Sequence, residues 1–560
     1  MQKIFRVMII IAMLITAYLL ILAWRDDYAD APAVDTVPKT ATSVGADIPS
    51  TSGAAGDIPV QTLPVDTGAV AATPAASAGL ITVTTDRYDI KINPEGGDIV
   101  YAALKQYDAT LDSDKPFVLL ENNSNRVYVA QSGLIGQNGI DTAEGRAKYS
   151  HTANNYVMEK GQQTLSVPLT YKKDGVTVTK TFTFTQDKYP IDISYQIQNA
   201  SAAAWQGQMF AQLKRDDSKD PGMSDKGALS MATYLGGAWG TPDDPYNKLK
   251  FGKFNDGELT TTSDKGWVGI VQHYFVSAWT PENFTGKFFS RETGDEYFIG
   301  FNSQPVNVAP NKQVTLNATL YAGPKVQSEL KEVAVGLNQT VDYGLLWPIS
   351  KILFAVLDGI HKVIGNWGWS IILLTILVKI ALMWFSNKSY YSMAKMRAIA
   401  PRLAALKEEH GDDRMKMSQE MMAIYKEEKV NPMAGCLPIL MQMPIFLALY
   451  WVLVESVELR HAPWILWIQD LSAMDPWFIL PLLMGASMFI QQQLNPQPAD
   501  PMQAKVMKFL PIIFTAFMLF FPAGLVLYWT VNNLFSMTQQ YLINRKVEEE
   551  QKRRTVKVLD

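Results

Sequence analysis

The sequence predicts an integral membrane α-helical bundle, an N-terminal anchor plus a five-helix core, carrying a large antiparallel β-sandwich domain outside the cytoplasm. Three observations predict it. Apolar runs lie near the N-terminus and through the C-terminal third of the 560 residues. Between them, from about Leu80 to Tyr321, apolar and polar residues alternate with a period of two, the signature of half-buried strands. The connections between the apolar runs differ sharply in Lys and Arg content, which orients a membrane chain.

The anchor is read over residues 1–26. Lys3 and Arg6 precede an apolar run from Val7 to Trp24, and Arg25-Asp26-Asp27 follows it directly. A cleaved signal peptide has a shorter core and a small-residue cleavage site, so the anchor is expected to stay, with its N-terminus in the cytoplasm. Residues 27–79, rich in Ala, Thr, Pro, Val and Gly, cannot bury enough apolar surface to offset ordering entropy and read as a disordered tether.

The β-domain is placed at 80–340. Leu80–Asp86, Val176–Thr185 and Ile191–Ile197 read as strands, with turns at Asn93-Pro-Glu-Gly-Gly97, Lys173-Asp-Gly175 and Thr293-Gly-Asp295. A short helical pattern covers Val326–Leu337. Residues 341–365 contain an amphipathic stretch, Leu345–Val363, expected to lie in the outer membrane interface.

The core, 366–545, is divided into spans at about 367–386, 436–455, 477–493, 507–521 and 523–541. A cytoplasmic helical hairpin at 387–430 turns at His410-Gly-Asp-Asp413, where Gly suits a helix end and Asp a helix start. That hairpin, the 494–506 connection and the tail 546–560 carry the Lys and Arg, whereas loop 456–476 has Glu458, Asp470 and Asp475 against Arg460. The asymmetry predicts both termini in the cytoplasm. Two spans, Trp477–Ile490 and Phe509–Phe521, fall short of the ~20 residues a bilayer core requires.

The net charge of −4 spans two compartments and decides little. A single cysteine, Cys436, excludes a disulfide framework and a Cys-based metal site. No serine-hydrolase elbow, His-Glu-x-x-His or phosphate-binding loop occurs, and the five histidines are scattered. The chain is therefore expected to be no enzyme, with no catalytic residue, metal or cofactor.

One residue stands out. Lys379 lies inside the apolar stretch Trp367–Phe385, where a charge costs roughly 2.5–3.5 kcal/mol near the bilayer centre unless it meets water or a partner; the plain alternative is that its long stem snorkels to the interface beyond Phe385. Thr375, four residues earlier, shares its helix face. Gln442, Thr515, Tyr528, Thr530, Asn532 and Asn533 fall in other spans. Each alone reads as packing glue between helices; together with a lysine they suggest one hydrated cavity. In the hairpin, Met393, Met396, Met421 and Met422 either pack helix on helix or offer an adaptable apolar surface to clients.

Asn366-Trp-Gly-Trp-Ser370, Ser392–Arg397, the run Asn431-Pro-Met-Ala-Gly-Cys-Leu-Pro-Ile-Leu-Met-Gln-Met-Pro444, Asp500-Pro-Met502 and Phe521–Tyr528 closely resemble the core signature of the YidC/Oxa/Albino membrane protein insertases. The anchor, tether and β-domain resemble the Gram-negative YidC form. The resemblance implies a periplasmic β-supersandwich and a five-helix core in the bacterial inner membrane. It implies a groove open to cytoplasm and lipid, whose positive charge attracts polar client segments. Lys379 matches the groove's basic residue, usually arginine; lysine keeps the charge without the guanidinium fork. Thr375 matches the groove threonine, and Tyr528-Trp529 an aromatic pair that is usually Tyr-Tyr. The implied activity is insertion and chaperoning of inner-membrane proteins, alone or with the Sec translocon. The implied partners are nascent membrane proteins, the Sec translocon with its accessory subunits, the ribosome or signal recognition machinery through basic cytoplasmic segments, and the phospholipid bilayer.

Two other readings fit parts of the chain. A secondary transporter would suit an intramembrane lysine, but the core shows no paired repeat with matched broken segments. A sugar-binding periplasmic module on an anchor would suit the sandwich alone.

Overall fold

The computed structural model describes residues 58–59, 79–111, 113–221, 233–256, 259–409, 414–428, 430, 437–495 and 501–559. The expected anchor, nearly all of the tether, the 410–413 turn, the 431–436 signature segment and Asp500 lie outside the described residues.

The alternating region folds as predicted, into one 11-stranded and one 9-stranded sheet. Val176–Thr185 is a strand with the bounds read from the sequence, hairpinned to Thr164–Lys173 through Asp174 and Gly175, both at positive φ. Leu80–Asp86 contracts to Ile81–Thr84, and Ile191–Ile197 sits within Pro190–Asn199. Lys312–Pro324 pairs antiparallel with Pro190–Asn199 on one side and Phe275–Pro281 on the other. Among the described residues one pairing departs from the antiparallel rule: Ile81–Thr84 lies parallel to Asn155–Val157. Inward-facing Val178, Phe182, Phe184, Ile191, Ile193 and Ile197 are all buried in the core between the sheets.

Period-two alternation also sends Lys180 inward. It is fully buried, and its Nζ donates to the carbonyls of Gly96 (3.1 Å), Gly97 (2.7 Å) and Ser132 (3.1 Å). Two of these belong to the Asn93–Gly97 turn. Gly97 has φ +64°, and a Cβ there would sit 3.0 Å from Lys180 Cδ, so both backbone and space require glycine. Burial pulls the Lys180 ammonium down to about 7, with Asp98 pushing it back up.

The helices begin with α1 (Gln327–Val333) and α2 (Trp347–Ile364). Leu353 and Leu357 of α2 are buried, whereas Trp347, Ile352 and Val356 are exposed. By length and composition this helix could cross a membrane. The core comprises α3 (Trp367–Ala381), α4 (Met383–Ala398), α5 (Ala400–Glu409), α6 (Arg414–Glu427), α7 (Leu437–Glu455), α8 (Ile479–Leu494), α9 (Pro501–Met518) and α10 (Ala523–Leu559).

Three sequence expectations change here. The span at 367–386 ends at Ala381, and α4 leaves it at a 69° bend. At 15 residues α3 is about 22 Å long, shorter than the ~30 Å hydrocarbon core. The first hairpin helix starts at Met383 and is interrupted at Ile399, just before Pro401, which cannot supply the next backbone N–H. The tail is helix: α10 runs unbroken from Ala523 to Leu559.

Candidate functional site

α3 starts with Asn366 as its cap, the side chain accepting from Trp369 N at 3.1 Å. Because the helix ends at Ala381, Lys379 lies in its last turn, where the helix dipole favours a cation. The lysine is 7% exposed, and its Nζ donates to Ser536 Oγ of α10 at 2.7 Å. Ser536 in turn donates to the Asn532 carbonyl at 2.8 Å, which leaves an oxygen lone pair facing the ammonium. Among the described residues no carboxylate lies within ion-pair distance of Lys379.

Lys379 borders a cavity of about 400 Å³ cut between five segments of the core. The α3–α4 bend contributes Lys379, Leu382, Phe385, Ser386 and Tyr390; α10 contributes Trp529, Asn532, Asn533 and Ser536. α8 adds Met488, Gln491 and Gln492, with Asn495 just beyond its end. From α9 come Met507, Leu510, Pro511 and Phe514, all apolar, and α7 is apolar apart from Gln442. The cavity therefore has a polar lining on α3, α4 and α10 and a greasy lining on α7 and α9. Gly485 of α8 permits this packing, because a Cβ there would meet Thr515 Oγ1 of α9 at 2.1 Å.

Of the residues singled out in the sequence, Lys379, Gln442, Trp529, Asn532 and Asn533 line this cavity. Tyr528 does not: it is buried behind Gln442, whose Nε2 donates to the tyrosine hydroxyl. Thr375 is also turned away. It is 1% exposed, and its hydroxyl donates to the Ile371 carbonyl of its own helix at 2.7 Å. Sharing a face with Lys379 does not bring it to the cavity, because the lysine stem carries its charge roughly a further 6 Å from the helix. Thr515 and Thr530 likewise bond back to their own helices, at Pro511 O and Val526 O.

The sequence reading missed Ser386, Gln491, Gln492, Asn495 and Ser536. The available signal was spacing: Asn532, Asn533, Ser536, Gln539 and Gln540 recur every three or four residues, a polar stripe on one helix. Its members bond to both neighbours. Gln539 Nε2 donates to Ser386 Oγ (3.0 Å) and Asn387 Oδ1 (2.6 Å); Asn533 Nδ2 reaches Ser487 Oγ (3.3 Å), and Gln540 Nε2 reaches Asn495 Oδ1 (2.9 Å). Trp529 Nε1, Gln492 Oε1 and Asn532 Oδ1 are buried without a hydrogen-bond partner among the described residues.

The hairpin methionines divide. Met396 and Met421 pack on Ile399, Leu406 and Ile424 in the hairpin's own small core, which is the packing role. Met393 is half-buried and Met422 exposed.

Fold and groove together define the class: an integral membrane protein with a large β-domain and a helical core that opens a mixed polar and apolar cavity. Comparison supplies the particular family. Residues 80–356 match the YidC periplasmic domain, and residues 359–551 match the 60Kd inner membrane protein family. A protein of Ectopseudomonas mendocina (strain ymp), named membrane protein insertase YidC, is 49% identical over 571 residues, covering 97% of this chain and 98% of that one. Its namesake in Pseudomonas syringae pv. syringae (strain B728a) is 50% identical over 562 residues, covering 98% and 99%. A solved structure described as an active YidC insertase with the first transmembrane domain resolved gives a TM-score of 0.37 at 18% identity, covering 83% of this chain and 93% of that one. The chain belongs to the YidC family of membrane protein insertases. It is an inner-membrane insertase and chaperone with a periplasmic β-domain, and it is not an enzyme.

Proposed function

We propose that the cavity bordered by Lys379 is where a client's hydrophilic segment is received during insertion. The carrying observation is the pairing of one unneutralised ammonium with a row of amides, against an apolar wall on α7 and α9. Desolvation strengthens the attraction of Lys379 for a client carboxylate. Trp529 Nε1 offers a donor, and Gln442, Asn532, Asn533 and Gln492 offer hydrogen bonds of either sense to polar or backbone groups. The client's apolar span then leaves along the greasy wall, driven by burial in lipid at roughly 25 cal/mol per Å². Thr375 and Tyr528 support this lining from behind, and no nucleotide chemistry is needed.

In this reading both termini face the cytoplasm, six spans including residues 1–26 cross the membrane, residues 27–79 tether the β-domain, and α2 lies in the outer interface. Short spans such as α3 thin the bilayer locally, which lowers the barrier to moving a polar segment. Basic residues of the hairpin and of α10 beyond Arg545 offer a surface to the ribosome or signal recognition machinery; Met393 and Met422 are the hairpin methionines placed to meet clients. Work beside the Sec translocon and its accessory subunits belongs to the same proposal.

The test is site-specific photocrosslinking during translation of a single-span client. A benzophenone side chain at Met441 or Phe514 is expected to capture the client, and one at Val335 of the periplasmic region is not. Equal capture at all three positions would sink the groove assignment.

A further inference from the structure

The sandwich's last long strand ends at Pro324, and the next residue reaches the membrane core. Lys325 is 2% exposed, and its Nζ lies 2.9 Å from Oε2 of Glu455, the final residue of α7. The same ammonium donates to the Thr340 carbonyl at 3.1 Å. One residue earlier on α7, the Val454 carbonyl accepts from His273 Nε2 of the sandwich at 2.8 Å. Burial, and then the Lys325 charge, hold that imidazole down to about 3, so it is neutral with its proton on Nε2. One residue later, Ser456 Oγ lies 3.5 Å from the Tyr343 hydroxyl, which accepts from Gln327 Nε2 at 2.6 Å.

Three consecutive residues at the outer end of α7 are thus held by polar contacts, and the contact at Glu455 is between buried charges. A buried ion pair adds little net stability, but it tolerates little displacement, because moving either partner strands a charge in the interior. Glu455 therefore fixes both the height of α7 and its rotation. Gln442 lies about 20 Å back along the same helix and roughly on its opposite side, where it bonds to Tyr528 and lines the groove. A rotation that broke the outer contact would swing Gln442 away from Tyr528.

We propose that Lys325 and Glu455 are positioning residues for insertion: the periplasmic sandwich holds the outer end of α7 and through it sets the groove wall that carries Gln442. The inference rests on the groove reading above for its effect on insertion, but not for its effect on geometry.

K325M alone strands the Glu455 carboxylate and lowers the thermal midpoint. K325M/E455M replaces the pair by apolar side chains of similar size, which keeps the fold and separates positioning from stability. Nitroxides at Leu440 on α7 and Leu534 on α10, both exposed, in a Cys436→Ser background, report the interhelical distance in lipid nanodiscs. The expected result is a shifted or broadened distance in K325M/E455M, with insertion of a reconstituted client slowed roughly tenfold, and a native distance in the reversed pair K325E/E455K. A native distance in folded K325M/E455M overturns the proposal. Should that variant not fold, the reversed pair decides: its native distance supports positioning and a shifted one overturns it. A shifted distance with insertion at the native rate supports the junction and overturns the groove role of Gln442 instead.

Discussion

The sandwich and the helical core each bury a lysine, and the two are treated in opposite ways. Lys180 has three carbonyls around its three donors, with Asp98 and Arg146 beside it and strands on every side. Lys379 has one hydroxyl partner and a cavity in front of it. A buried charge whose donors are all used is a structural element: it ties the Asn93–Gly97 turn to the strand Val176–Thr185. A charge with one partner and open space beside it has donors left over for a ligand. Burial alone does not distinguish them; the count of satisfied donors does.

The comparison can be broken most forcefully at Lys180. Lys180→Met leaves the buried Gly97 carbonyl without its donor, at about 1–3 kcal/mol for the unsatisfied group, and takes one of two donors from the Gly96 and Ser132 carbonyls, which keep Arg146 Nη2, so the thermal midpoint of the protein is expected to fall by several degrees. Lys379→Ala is expected to behave the other way. Insertion of clients with acidic translocated tails falls roughly tenfold, about 1.4 kcal/mol, while the midpoint moves little because only one hydrogen bond is lost. A large drop in stability for Lys379→Ala, with normal insertion by the folded fraction, would make the two lysines alike and remove the charge-attraction account.

Titration sharpens the contrast further. The Lys180 ammonium is held down to about 7 in the fold, against about 10.4 in an unfolded chain. Between those values the unfolded state holds more protons, so stability rises with pH from about 7 toward 10. Denaturant melts across that range are expected to show this slope, and Lys180→Met to flatten it. The smallest effect is expected at Ser536. Ser536→Ala frees the Lys379 ammonium without removing it, so insertion of acidic-tailed clients changes by roughly threefold or less, within the 0.5–1.5 kcal/mol of one hydrogen bond. Ser536→Thr restores it. An effect of Ser536→Ala as large as that of Lys379→Ala would mean that the bond between them matters more than the charge.

Much of this was legible in the residues. Alternation located Val176–Thr185 to the residue, and the same rule, followed through, sends Lys180 inward with Val178 and Phe182. Of the polar residues scattered over several spans, Gln442, Asn532 and Asn533 line one cavity with Lys379, whereas Thr375, Thr515, Tyr528 and Thr530 do not. What failed was the step from face to reach. Thr375 and Lys379 share a face, yet only the long lysine stem extends to the cavity, while the threonine hydroxyl is satisfied by its own backbone. The 69° bend at Leu382 carries no proline or glycine to announce it, so the span was drawn too long. Met396 and Met421 belong to a small core that forms only once α5 and α6 fold against each other, and no one-helix pattern reveals that. Lys325 and Glu455 are 130 positions apart in the chain; a pairing at that separation leaves no local trace.

The length of α10 has a mechanical meaning. Its 37 residues make a rod of about 55 Å, nearly twice the thickness of the hydrocarbon core. Trp529 and Ser536 stand toward one end, and Glu550, which accepts from the Tyr391 hydroxyl of α4 at 2.8 Å, toward the other. With no proline or glycine between Leu525 and Leu559 to absorb a bend, a push on the half that carries Glu550 is delivered to the cavity as a tilt. The cavity wall and the handle by which it could be moved are one part.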